Sequence, residues 1–152
     1  CLRDSLMGAA GLLAAQRWIA ERGGVQAVYE HEMRHATRLR DGLAAIDGVT
    51  LYCADMSRDH LPVFVFNIDG LPADQAGTFL DVEHDVITRT GLHCAPLVHV
   101  GIGTFDCDGT VRFSPGAFST DEDIERAIDA VADLAEYGRK RAESRRAVTA
   151  ST

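Results

Sequence analysis

Lysine is almost missing from this chain: residue 140 is the only one among 152. Positive charge is also short overall. The formal net charge is −8, so the body lacks the excess of cations that broad phosphate-backbone binding needs. No apolar run approaches the ~20 residues of a membrane-spanning helix. The four cysteines, Cys1, Cys53, Cys94 and Cys107, show no C-x-x-C and no regular spacing. That argues against a disulfide framework and for free thiols in a reducing compartment, so a cytoplasmic location is expected. There is no internal repeat, no sign of a second domain and no basic, cleavable leader pattern. Residue 1 is Cys, not Met, inside what reads as an established helix. The expectation is the C-terminal part of a longer protein.

What remains is an ordinary globular composition, 46% hydrophobic and 25% charged, and enough length for one domain with a core. Leu2 to about Glu21 reads as a helix that is apolar nearly all round, which predicts burial on several sides against a missing partner surface. Gly8 and Gly11 cost helix propensity and are expected to allow close packing. Gly23-Gly24 ends this helix. A second helix spans about Val25 to Ile46, with Val25, Val28, Tyr29, Ala36, Leu39 and Leu43 recurring at helical spacing. Val49–Cys53 and Val63–Ile68 read as strands, Pro72 opens a helix to about Val82, and Val86–Thr88 and Thr110–Phe113 read as two more strands. Ser119 and Thr120, followed by Asp121, Glu122 and Asp123, make a good helix start, and Ile124, Ile128, Val131 and Leu134 give that helix its buried stripe. Beyond Gly138 the tail is polar and basic, with Arg139, Lys140, Arg141, Arg145 and Arg146 against Glu143, and disorder is expected there. The predicted fold class is α+β: a small, mostly antiparallel sheet with helices on one face.

Chemistry concentrates between Arg89 and Thr120. A thiol, Cys94, lies on a loop between Arg89 and Arg112. Positive neighbours favour the nucleophilic thiolate, and a guanidinium fork fits a carboxylate. The stretch therefore reads as a site that grips an acid and presents sulfur. The plainer alternatives are a buried small hydrophobe for Cys94 and a structural ion pair for Arg112. Other motifs compete. His31-Glu32-Met33-Arg34-His35 is a literal H-E-x-x-H on a helix, the spacing of a zinc peptidase. Against that reading, Arg34 puts a cation beside the metal position, no G-x-x-H follows, and the apolar stripe leaves much of the motif toward water. His93, Cys94, His99 and Cys107 have zinc-ligand chemistry without ligand spacing. Gly101-Ile102-Gly103-Thr104 lacks the lysine and helix of a phosphate loop, so its glycines serve turns.

Arg89-Thr90-Gly91-Leu92-His93-Cys94-Ala95-Pro96, then Gly109-Thr110-Val111-Arg112-Phe113-Ser114, then Phe118-Ser119-Thr120-Asp121-Glu122-Asp123-Ile124, resembles the C-terminal domain of class V aminotransferase-like enzymes, nearest the cysteine desulfurase and selenocysteine lyase branch. The resemblance implies the small domain of a fold-type I pyridoxal phosphate enzyme, a homodimer in the parent. It further implies an amino-acid substrate such as cysteine and a sulfur-acceptor protein. Cys94 would match the sulfur-accepting cysteine, Arg112 the arginine on the substrate carboxylate and Arg89 a second active-site arginine. His93 matches the histidine beside the cysteine, with no role assigned. Leu92 stands where the family often has another histidine, and Ser119 replaces the usual Asn. Pyridoxal phosphate needs a lysine for its aldimine, and Lys140 lies in the wrong place. That lysine is expected in a missing N-terminal domain, and this chain is expected neither to hold the cofactor firmly nor to turn over. The implied organisation is 1–22 bridging helix, 23–138 small domain and 139–152 basic tail. The alternatives are a non-catalytic interaction or scaffolding domain of the same fold, and the zinc peptidase through His31, Glu32 and His35.

Overall fold

Alternation along the strands decides which way this molecule faces. In the segment Phe64–Ile68 (β2), Phe64, Phe66 and Ile68 are buried while Val65 and Asn67 are half-exposed. Residues of period two fall on opposite faces of a sheet, so one face of β2 is aromatic and aliphatic and the other is mixed. The computed structural model describes residues 5–52, 55–56 and 60–150, the last six by backbone alone. Its elements are α1 (Leu6–Glu21), α2 (Gly24–Ala44), β1 (Val49–Tyr52), β2, α3 (Ala73–His84), β3 (Arg89–Gly91), α4 (Pro96–Gly101), β4 (Thr110–Phe113) and α5 (Asp121–Ala150). The four strands form one antiparallel sheet in the order β1-β2-β4-β3. The expected α+β architecture is the one observed.

The core lies on the aromatic face. Phe64, Phe66, Val111 and Phe113 of the sheet meet Ala36, Leu39 and Leu43 of α2, Ala76 and Leu80 of α3, and Ile124, Val131 and Leu134 of α5. Phe66 and Phe113 are tilted against each other with centroids 5.0 Å apart. Each buried aromatic or aliphatic side chain contributes about 1.5–3 kcal/mol by removal from water. α5 begins with a reciprocal cap. The Thr120 N–H and hydroxyl both donate to the Asp123 carboxylate, and the Asp123 N–H donates back to Thr120 Oγ1 at 3.2 Å. These bonds hold the Asp123 carboxyl below its ordinary pKa.

The structure corrects several expectations. None of α1 is buried: Leu6 and Met7 are more than 80% exposed, and Leu12 and Leu13 also face outward. It packs along α2, and Trp18 near its end meets the Phe118 ring at 4.7 Å, which together cover only a strip. Gly11 has open space around it and marks no close packing. Along α2, Val25 and Tyr29 are exposed, and the buried stripe begins only at His35. The third strand starts at Arg89, not Val86. Asp85 turns left-handed at φ 55° and the Val86 N–H closes back on the Leu80 carbonyl. Pairing with β4 begins only at Arg89 opposite Arg112.

The helix expected to stop at Gly138 instead runs to Ala150. Gly138 is a close approach: a Cβ there would strike the Asp69 carbonyl oxygen, and Gly70 faces the Gly138 carbonyl in return. Beyond it, Lys140 pairs with Glu136 at 2.6 Å one turn back and holds that carboxyl below its ordinary pKa. Arg141 donates to Gln75 at 2.7 Å. Cys1 and Cys53 lie outside the described residues.

Candidate functional site

The sheet face turned away from the helices carries the chemistry. Directly opposed residues in an antiparallel ladder share a face. The registers Tyr52 with Val65, Val65 with Arg112, and Arg112 with Arg89 therefore make one row across all four strands. Arg112 and Arg89 are cross-strand neighbours, a spacing of about 4.5–5.5 Å between Cβ atoms. Two like charges placed so are unfavourable without an anion between or beside them. Among the described residues no carboxylate pairs with either, and the Arg112 Nε is buried without a hydrogen-bond partner. Among the described residues, Arg112 forms no structural ion pair.

The loop from β3 to β4 carries the thiol. It is pinned at both ends. His93 Nε2 lies 3.1 Å from the Thr110 carbonyl oxygen and 3.2 Å from its hydroxyl. A carbonyl only accepts, so Nε2 carries the proton and donates. At the other end Asn67 donates to the Gly109 carbonyl at 3.2 Å. In between, Pro96 sets the first turn of α4, a short helix not foreseen from the sequence. It carries His99, 2% exposed, whose Nδ1 meets the hydroxyl of fully buried Thr104 at 2.8 Å. The rings of His93 and His99 are 5.6 Å apart. Thr104 and His99 are thus a buried polar brace under the loop, and composition gave no signal for it.

Cys94 is exposed. His93 and Cys94 both hold left-handed backbone, at φ 51° and 58°. For residues with a Cβ this conformation costs of order 1 kcal/mol or more each, and it persists where the surroundings enforce it. Here the enforcing contacts are the His93 bond to Thr110 and the Ala95 N–H closing on the Leu92 carbonyl at 2.8 Å. Burial, then the Arg112 guanidinium, hold the His93 pKa below the ordinary 6.5. The Thr110 bond opposes this, and His99 and Arg89 reinforce it.

The competing metal readings fail on geometry. His31 Nε2 donates to the Ser119 carbonyl at 3.1 Å, and His35 Nε2 meets Asp121 Oδ1 at 3.1 Å. The two rings touch edge to face with centroids 4.3 Å apart. These histidines tie α2 to the start of α5. His35 is 4% exposed, not turned to water as the sequence implied, because the start of α5 covers it. Cys107 Sγ is held by the Thr104 and Gly109 carbonyls and by Asn67. Among the described residues, no group of three or more His, Cys, Asp or Glu is placed to hold a metal ion. Gly101 and Gly103 serve the turn after α4, Gly103 at φ 74°.

An exposed thiol on a braced loop and a cross-strand pair of arginines with no carboxylate partner among the described residues belong to one helix-backed antiparallel sheet domain. The aminotransferase class-V pattern matches residues 4–127, and the chain belongs to that family. Its similar relatives include a probable cysteine desulfurase of Mycobacterium leprae, 31% identical over 80% of this chain and 28% of that protein. Another, from Staphylococcus aureus, is 30% identical over 85% of this chain and 30% of its own length. Among solved structures, the apo cysteine desulfurase of Thermococcus onnurineus superposes with a TM-score of 0.74, at 30% identity, over 85% of this chain and 31% of that one. The cysteine desulfurase CsdA of Escherichia coli, in an S-sulfonic acid form, gives 0.69 at 25% identity, over 86% and 30%. The chain therefore spans about a third of the proteins it resembles.

The family's cofactor can be tested against these residues. Lys140 is on α5, bonded to Glu136, and it belongs to no part of the cysteine loop or the arginine row. This chain has no amine at the site to form an aldimine, so its residues do not fit attachment of pyridoxal phosphate. Among the described residues, no helix is long and apolar enough to cross a membrane.

Proposed function

We propose that this chain is the substrate-gripping and sulfur-accepting part of a cysteine desulfurase. In this reading Arg112, seconded by Arg89, holds the α-carboxylate of L-cysteine, and the exposed Cys94 thiol receives the sulfur as a persulfide. His93 shapes the loop between them. The observation that carries the reading is the arginine pair itself: two guanidiniums on neighbouring strands, one with a buried orphan N–H, and no acid paired with either among the described residues. Arg112 is only partly buried, but a buried guanidinium N–H without a partner is unfavourable, and an anionic ligand would satisfy it. A scaffold domain has no use for such a pair.

In the parent, pyridoxal phosphate held by a separate N-terminal domain would supply the electron sink that no residue here offers, with residues 1–22 as the bridging helix and 23–138 as the small domain. A cytoplasmic homodimeric parent and a protein acceptor for the persulfide belong to the same proposal. The chain alone is then inactive.

The test is Cys94→Ala in the parent enzyme. Sulfide release from L-cysteine should drop to background while the cofactor absorbance band is kept. Undiminished release would overturn the role of Cys94.

A further inference from the structure

His93 is the sequence neighbour of the Cys94 thiol and bonds Thr110, two residues before Arg112 on β4. Its Nε2–H is committed to the Thr110 carbonyl, and no hydrogen bond reaches its Nδ1 from the described residues. The charged and titratable groups around it are Arg112 from β4, Arg89 from β3, His99 from α4 and its sequence neighbour Cys94. No carboxylate is among them. Its neighbours are therefore positive or neutral, and the guanidiniums oppose a proton on Nδ1. A carboxylate on Arg112 would cancel that opposition, and nothing else among the described residues can.

We propose that carboxylate capture at Arg112 is coupled to proton uptake at His93, which arms Cys94. This rests on Arg112 being the carboxylate holder, as argued above. One carboxylate and one proton are taken up together. The proton comes from solvent and forms an N–H bond at Nδ1, while Nε2–H stays on Thr110. The resulting imidazolium sits one residue from the thiol, where positive charge favours the thiolate. Linkage makes the effect reciprocal: the carboxylate binds more tightly while His93 is protonated, and its affinity falls as pH rises through the bound-state midpoint of His93. An unloaded site keeps a neutral histidine beside a less reactive thiol, so the sulfur acceptor is switched on by the substrate's own acid group. His93 is a positioning and coupling residue here, acting through Cys94.

The experiment uses the 152-residue chain and L-alanine, an α-amino acid without sulfur. The His93 ring Cε1–H resonance, identified by its loss in His93→Gln, is titrated by NMR with and without L-alanine, and the Arg112 Nε–H resonance reports binding. L-Alanine should raise the His93 midpoint by about 0.5–1 unit, the lower end of what a nearby charge does. Arg112→Gln should raise it without ligand and abolish the response, whereas Arg112→Lys should stay near the starting midpoint. Alkylation of Cys94 by iodoacetamide, followed peptide by peptide against Cys107, should speed up several-fold with L-alanine in the parent sequence and not in His93→Gln. If Arg112 Nε–H responds to L-alanine while the His93 midpoint stays fixed, the coupling is wrong and the carboxylate site stands. If Arg112 Nε–H does not respond at all, both fail.

Discussion

Cys94, Arg112 and Arg89 were legible one residue at a time, because each has a side chain whose chemistry is visible in the sequence. What could not be read was the register that puts Arg89 opposite Arg112. Equally hidden was the His99–Thr104 pair beneath the loop, which depends on a helix of six residues with no cap signal except Pro96. His93 shows the consequence at this scale. Its folded pKa lies below the ordinary value of 6.5. The unfolded chain therefore binds the proton more readily than the folded one, and stability rises with pH across the interval between the two values. The full contribution of His93 is present above about 6.5 and declines as pH falls toward the lowered value. In urea titrations across that interval, His93→Gln should show a flatter fall in the unfolding midpoint toward acid than the parent sequence does. Parallel profiles for the two proteins would mean that the histidine is not held neutral by its surroundings.

Elements with a strong period and sharp punctuation were readable: β4 falls on the residues expected, and α5 starts where Thr120 and Asp123 form the expected cap. Elements decided by what lies across from them were not. Gly138 looked like a stop because glycine so often ends helices. In the folded chain it is instead the place where α5 presses on the Asp69–Gly70 turn. Gly42 has a different neighbour, the Ile128 side chain on α5, whose Cδ1, Cγ1 and Cγ2 atoms a new Cβ would meet. Alanine at either position gains about 1 kcal/mol of helix propensity, so the sign of each substitution rests on what the new methyl meets. Ile128, though its χ1 is stiff in a helix, can still shift as a side chain, whereas a turn carbonyl held by backbone cannot. Gly42→Ala should be within about 1 kcal/mol of neutral, and Gly138→Ala should lose roughly 1–3 kcal/mol by overpacking. Chemical denaturation of both variants checks this ranking, and a Gly138→Ala at least as stable as Gly42→Ala would contradict the close approach.

At the scale of the whole molecule, the sheet, its three covering helices and the arginine row form one unit, and α1 lies mostly outside it. The sequence marked α1 as a helix made for burial, and its apolar side chains are instead largely exposed. Both statements follow from one composition. Leucines and methionine all round a helix need cover on every side, and α2 with Phe118 provides it on only part. The remaining surface is larger than scattered exposed apolar residues on a soluble monomer, and such patches drive association. The two effects of changing it should therefore separate. Leu12→Glu with Leu13→Glu removes little that is buried in this chain, so the midpoint of thermal unfolding should move by no more than the few degrees of an ordinary surface substitution, about 0.5 kcal/mol. Sedimentation velocity should meanwhile show a marked loss of self-association, and binding of a hydrophobic dye should fall with it. A large drop in the unfolding midpoint would instead make α1 part of the chain's own core, and the outward leucines a feature that closes up in solution. If association persists unchanged with the midpoint intact, the adhesive surface lies elsewhere, and the exposed Leu97, Val98 and Val100 beside the thiol loop become the place to look.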